Sequence, residues 1–187
     1  MTTRSIAAAS PRASFTGAVY LSYFLTAVTG QMLAGRKALV LGEALNVISF
    51  ALYIALALLF YFLFKPVNRP ISLLAAIVSL AGSVLGLLGL FHRAPAYISP
   101  LVFFAPYCLL IGYLIVRSTF LPHLLGWLML LAGVGWLAYL SPPVAHHLSV
   151  PIEVGGFLAE AALMLWLLIK GVNVACWEKQ SNIALRP

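Results

Sequence analysis

The chain has 187 residues, of which 63% are hydrophobic and 8% charged, and its formal charge is +7. A soluble domain carries about 45–50% apolar and about 25% charged residues, so a water-facing globule is excluded, as are intrinsic disorder and a disulfide-stapled scaffold. The basic residues are scattered singly between apolar runs and form no stripe along a phosphate backbone, which removes nucleic acid as a partner.

A hydrocarbon core about 30 Å thick needs about 20 helical residues. Backbone amides in lipid must pair within their own segment, and no polar–apolar alternation marks barrel strands. The sequence therefore predicts an all-α fold, a polytopic bundle of six transmembrane helices occupying residues 13–171. Residues 1–12 and 172–187 are expected as cytoplasmic tails, and membrane lipids as the first partners.

The first span is expected over 14–33. Its apolar stretch is too long for a signal-peptide core, and Met32-Leu33-Ala34-Gly35 is a poor cleavage site, so it is expected to be retained. It carries Thr16, Tyr20 and Tyr23 on one face and Ser22, Thr26 and Thr29 on the next. The second span, 44–64, bears a stripe of Glu43, Asn46, Ser49 and Tyr53 at its start. The third, 71–91, offers Ser72, Ser79 and Ser83, with Gly82 and Gly86 at a spacing that suits close helix contact. The fourth, 100–116, is the shortest, and Pro106 predicts a kink or a shallow start. The fifth covers 121–140 and the sixth 150–169. The polar faces either hydrogen-bond across the bundle or line a narrow polar cavity.

Orientation follows from the cations. With both termini inside, eight Lys and Arg lie on the cytoplasmic side and three opposite, as the positive-inside rule demands. Trp166 and Trp177 then mark the inner interface, and Trp136 and Tyr139 the outer one. The second, fourth and sixth spans end alike, at Tyr61 to Lys65, Tyr113 to Arg117 and Trp166 to Lys170, 52 and 53 positions apart. Two readings stand: three duplicated hairpins, or the common need of an inner helix end for an aromatic anchor and a snorkelling cation.

The four acidic residues are all Glu. A carboxylate at mid-membrane costs at least a few kcal/mol unless paired or protonated. Glu160 falls near the middle of the sixth span, with Glu153 seven residues earlier on the same side and Gly156 between. Glu160 is expected to face the bundle interior, as a proton carrier or substrate contact, or as a structural partner of a Ser, Thr or Tyr. Gly155 and Ala159 form a small-residue pair that suits a close helix contact.

Glu43, His92, Arg93, His146, His147 and Glu153 gather at the outer end. His92, His146 and His147 are weak zinc candidates, since His146 and His147 are adjacent in a loop after Pro142-Pro143 and no spacing fixes two ligands together. An ion pair of Arg93 with Glu153 or Glu43 is the plainer use. With no Asp, a Ser–His–Asp triad is excluded. No phosphate loop, dinucleotide fingerprint or cofactor motif appears, and Cys108 and Cys176 lie at different depths.

Three stretches carry a family likeness. They are Ala51-Leu52-Tyr53 through Phe64-Lys65-Pro66-Val67-Asn68-Arg69 with Leu73-Leu74-Ala75-Ala76; Tyr107-Cys108-Leu109-Leu110-Ile111-Gly112-Tyr113 with Arg117-Ser118 and Leu121-Pro122; and Glu160 through Trp166-Leu167-Leu168-Ile169-Lys170-Gly171. Over about residues 12–177 the chain resembles the domain of unknown function 4386 family. That resemblance implies a bacterial multi-pass protein of the cytoplasmic (inner) membrane and transfers no catalytic residue. Ala159 stands where the family usually has Gly, and the third-to-fourth connection is shorter here.

Three roles follow as expectations. The first is binding or transport of a small solute, lipid or proton in a polar cavity bounded by Glu160, Glu153, Glu43, Asn46 and Tyr53. The second is an accessory subunit that docks a partner protein or a second copy through its small-residue faces. The third is an intramembrane enzyme using outer His and Glu residues.

Overall fold

The computed structural model describes residues 13–34, 39–91 and 100–184. Within them the chain is all-helical: α1 (Ala13–Ala34), α2 (Leu39–Phe64), α3 (Arg69–Leu90), α4 (Phe104–Arg117), α5 (His123–Trp136), α6 (Pro142–Ile169) and α7 (Val174–Ala184). Single 3₁₀ turns lead into α4 at Pro100–Phe103 and follow α5 at Leu137–Leu140.

Four segments are long and apolar enough to cross a membrane: Val40–Phe64, Arg69–Leu90, His123–Leu140 and His146–Ile169. The sequence predicts six. α1 has the length, at 22 residues, but Thr16, Tyr20, Ser22, Tyr23 and Thr26 hold down its hydropathy. α4 has the apolarity but only 14 residues, about 21 Å of helix. Its shallow 3₁₀ start places Pro106 in the first turn, where a missing N–H costs little.

Local signals fix several ends. Asn68 caps α3 by accepting from the Ile71 N–H at 3.0 Å, with Pro70 just inside the helix. Gly171, at φ +69°, turns the chain out of α6; its N–H and that of Lys170 both donate to Trp166 O, a left-handed C-terminal stop that suits glycine.

Each of α1 to α6 packs on the next, and α6 returns to α1, so the six helices close a ring. Its interior is filled by Tyr20, Leu56, Phe60, Leu63, Cys108, Ile111, Met129 and Leu163, all buried. Close approaches fix the pairings. A Cβ on Gly112 would lie 2.8 Å from Leu130 N, and one on Gly126 would lie 2.8 Å from Gly112 O, so α4 and α5 meet backbone to backbone. A Cβ on Gly17 would lie 2.5 Å from Leu168 N, which sets α1 against α6. Outside the ring, large apolar side chains face outward all round, with Val40 81%, Leu131 69% and Val150 69% exposed. Hydrocarbon solvates such a surface and water does not.

Three features depart from the sequence reading. α6 begins at Pro142, eight residues before the expected start, because proline at the first turn is a helix starter as well as a breaker. His146 and His147 therefore lie on helix, not in a loop. Residues 174–184 form α7, and Trp177 does not stand at a lipid interface: it is buried and donates its indole N–H to Leu63 O at 2.9 Å. Trp136 is buried too. Both indoles find more apolar surface inside the protein than at its rim. Asn173 N–H donates to Phe120 O at 3.2 Å, and Gln180 accepts at Oε1 from the Thr119 N–H at 3.2 Å. α7 thereby gathers the C-terminal ends of α2, α4 and α6 at one end of the ring.

Candidate functional site

α6 brings in two carboxylates. Glu153 and Glu160 are two turns apart, about 10 Å along the axis. Glu160 is 5% exposed and accepts a hydrogen bond at Oε2 from the Tyr20 hydroxyl at 3.0 Å. Tyr20 is held by its neighbours: the Phe60 ring meets it edge-on at 5.7 Å, and the Phe24 ring lies at 5.3 Å. Tyr23 and Tyr53 follow at 4.9 Å, and Tyr53 and Tyr107 at 5.9 Å. Glu160 thus stands at the head of a band of phenols drawn from α1, α2 and α4. Glu153 lies nearer the rim and is exposed. It accepts at Oε1 from the Tyr139 hydroxyl at 2.6 Å.

A cavity of about 180 Å³ links the two. Tyr23, Phe24, Ala27 and Val28 of α1, Phe104 of α4, Trp136 of α5 and Glu153, Gly156, Phe157 and Glu160 of α6 line it. Gly156 lets the Trp136 indole pack directly on α6: a Cβ there would lie 2.7 Å from Trp136 Nε1. The Trp136 indole N–H is itself buried and has no hydrogen-bond partner among the described residues.

The other candidates are placed differently. Asn46 and Ser49 are buried on the inner stripe of α2, and Ser49 donates to Asn46 O at 2.8 Å. A Cβ on Gly30 would lie 2.7 Å from Asn46 Oδ1, so Asn46 serves the α1–α2 contact. Glu43 is exposed and absent from the cavity wall, because the buried stripe of α2 runs through Gly42 and Asn46. Tyr53 is not on the cavity wall but packs behind it, against Tyr23 at 4.9 Å and Phe104 at 5.8 Å. Arg93 and His92 lie outside the described residues. His146 and His147 are exposed, with rings 5.5 Å apart. Among the described residues no three His, Cys, Asp or Glu side chains stand close enough to hold a metal ion.

Much of the remaining polar chemistry is spent locally. Ser22, Thr26 and Ser83 return hydrogen bonds to carbonyls of their own helices, so the second polar face of α1 does not bond across the bundle. Ser72 reaches Tyr61 O on α2 at 3.1 Å. Sequence reasoning did not single out the cavity's apolar walls, Phe104, Trp136 and Phe157. A phenylalanine facing a cavity and one facing lipid are written alike in an apolar helix.

The fold and site define a class: an all-helical protein with an oil-facing exterior and a carboxylate held among phenols inside. Residues 14–94 and 90–171 match the family described as domain of unknown function (DUF4386), and the chain belongs to that family. The two matched stretches take in α1–α3 and α4–α6. An uncharacterized protein of Archaeoglobus fulgidus is 30% identical over 126 residues, which cover 63% of this chain and 76% of that protein. No solved structure matches the chain.

Proposed function

We propose that the chain is a polytopic protein of a bacterial cytoplasmic membrane, with six crossings and both termini cytoplasmic, and that it binds or translocates a small solute or proton through the cavity at Glu160. The oil-facing exterior supports the membrane setting. The placement of α7 across the ends of α2, α4 and α6 supports an even number of crossings. The observation that carries the functional reading is the cavity itself, which runs from Glu153 near the rim to the buried Glu160. A merely structural Glu–Tyr hydrogen bond has no need of an adjoining space.

Single-cysteine labelling tests it. Ala27 lines the cavity on α1, whereas Leu131 on α5 is 69% exposed to the surrounding lipid. In intact cells, a membrane-impermeant thiol reagent added outside is expected to modify Ala27→Cys and spare Leu131→Cys. Protection of Ala27→Cys, or modification only from the cytoplasmic side, overturns the reading.

A second reading, as a structural subunit that docks another membrane helix, rests on a separate feature. An apolar groove of about 490 Å³ runs between α5 and α6, floored by Gly155 and Ala159, and nothing lies within 4 Å of a Cβ built on Gly155. Gly155→Leu fills that space. Loss of a co-purifying partner or second copy in this variant, with the fold intact, would favour docking.

A further inference from the structure

The cavity at Glu160 has an unusual wall for a polar site. Two aromatic pairs stand around it. Phe24 and Phe157 meet edge to face at 5.1 Å across the α1–α6 seam, and Phe104 and Trp136 lie tilted at 5.5 Å where α4 faces α5. Tyr23 adds a fifth ring, packed on Phe24 at 5.7 Å. The two charged side chains on the wall are both carboxylates, and no Lys, Arg or His joins them among the described residues. Glu160 spends only Oε2 on Tyr20; its Oε1 accepts no hydrogen bond among the described residues.

Each class of solute meets this wall differently. An anion is repelled by both carboxylates. A hard cation such as Mg²⁺ or Ca²⁺ needs six or more oxygens close together, and here the carboxylates are about 10 Å apart along the helix with hydrocarbon between. A neutral solute leaves the buried Glu160, when ionised, without a counter-charge. An alkylammonium ion fits the rings and the carboxylates, though it offers no acceptor to the Trp136 N–H: its positive charge is attracted to the negative faces of aromatic rings, its alkyl groups ask for no hydrogen-bond acceptors, and a carboxylate balances it. The volume of about 180 Å³ is below the roughly 300–1,000 Å³ of drug-sized sites and suits a charged group of a few carbons. The exposed Val28 and Phe157 on its wall set one side of the cavity against lipid, so a headgroup has a route in as well as a free ion.

We propose that this cavity binds a small alkylammonium group, free in solution or carried on a lipid headgroup, with Glu160 as counter-charge and the Phe24–Phe157 and Phe104–Trp136 pairs as its walls. The proposal rests on the cavity being the functional site, and adds the ligand class.

Calorimetric titration of the full chain in phosphatidylglycerol nanodiscs tests it, with empty discs as the blank. Tetramethylammonium chloride is expected to bind saturably, while sodium chloride at equal ionic strength and neutral tert-butanol do not. Glu160→Gln is expected to weaken binding about tenfold or more. Glu153→Gln and Phe157→Leu, both at exposed positions, are expected to weaken it several-fold and decide the matter should Glu160→Gln fail to fold. Absence of tetramethylammonium binding, or tert-butanol binding as well as the cation, overturns the assignment. If Ala27→Cys is still labelled from outside in that case, the solute site survives and only the ligand class falls; if it is not, the site falls too. Repeating the titration in phosphatidylcholine discs separates the sources: loss of tetramethylammonium binding identifies the lipid headgroup as occupant, and unchanged binding identifies the free ion.

Discussion

Tyr20 on α1 and Glu160 on α6, 140 positions apart in sequence, meet through a 3.0 Å hydrogen bond inside the ring. It is a polar contact between the first and last of the six ring helices, and it sits beside the backbone approach of Gly17 to Leu168. Tyr20→Phe keeps the ring and removes the donor, leaving a buried carboxylate oxygen unpaired. It is expected to cost about 1–3 kcal/mol. Adding Glu160→Leu to Tyr20→Phe is expected to cost less than the sum of the single changes, since the two side chains act as a pair. Unfolding of the four proteins in detergent micelles, read as a double-mutant cycle, checks both statements; additive costs would sink them.

The glycines divide sharply by what lies above them. Gly112→Ala forces a methyl into Leu130 and Gly126, and is expected to cost about 1–3 kcal/mol by overpacking. Gly155→Ala meets open space and removes a flexible residue from mid-helix, so it is expected to be neutral or to stabilise by about 0.5–1 kcal/mol. Thermal unfolding midpoints in micelles should move in opposite directions, or only the first should move.

The α7 helix is tied to the ring by few bonds. Leu63 O is a C-terminal carbonyl of α2 that takes its hydrogen bond from Trp177, so Trp177→Phe leaves it unpaired at a cost of about 1 kcal/mol. Combined with Gln180→Ala, which removes the contact to Thr119, it is expected to free α7 and speed tryptic cleavage after Lys179 several-fold, with cleavage elsewhere unchanged. Equal cleavage rates would mean that α7 is held by other contacts.

The proposed six crossings predict a pattern of sidedness. Cysteines placed singly at Phe91 and Ser141 are expected to react with an impermeant reagent added to intact cells. Cysteines at Val67 and Thr119 are expected to react only after permeabilisation. Reaction of Phe91→Cys and Thr119→Cys from the same side would mean that the short α4 does not cross.

The six ring helices were legible because each is a run of apolar text, and lipid leaves backbone amides no choice but to pair locally; α7, with Glu178, Lys179 and Gln180 in its middle, was read as part of a tail. The inward placement of Glu160 was legible for a related reason: a carboxylate in such text has to find a partner. The partner itself was not. Tyr20 is one of eight tyrosines, and only the ring closure of α1 on α6 selects it. Glu43 and Asn46 are three residues apart and share a stripe on paper, yet the inner face of α2 takes Asn46 and leaves Glu43 outside, a choice made by the approach of Gly30. The start of α6 was hidden because Pro142-Pro143 reads as a break. A cavity beside Glu153 and Glu160 was expected, but its aromatic walls were hidden, because the partners of phenylalanine and tryptophan are set by tertiary packing alone.

Closure of the ring by α6 has a consequence for biosynthesis. α1 is made first, and its buried face carries Thr16, Tyr20 and part of the polar band, yet the helix that covers that face emerges from the ribosome after the other four. During that interval the insertion machinery, or bound lipid, has to shelter the half-polar segment. The polar face of α1 is therefore fully covered only once α6 has arrived and Glu160 can accept from Tyr20.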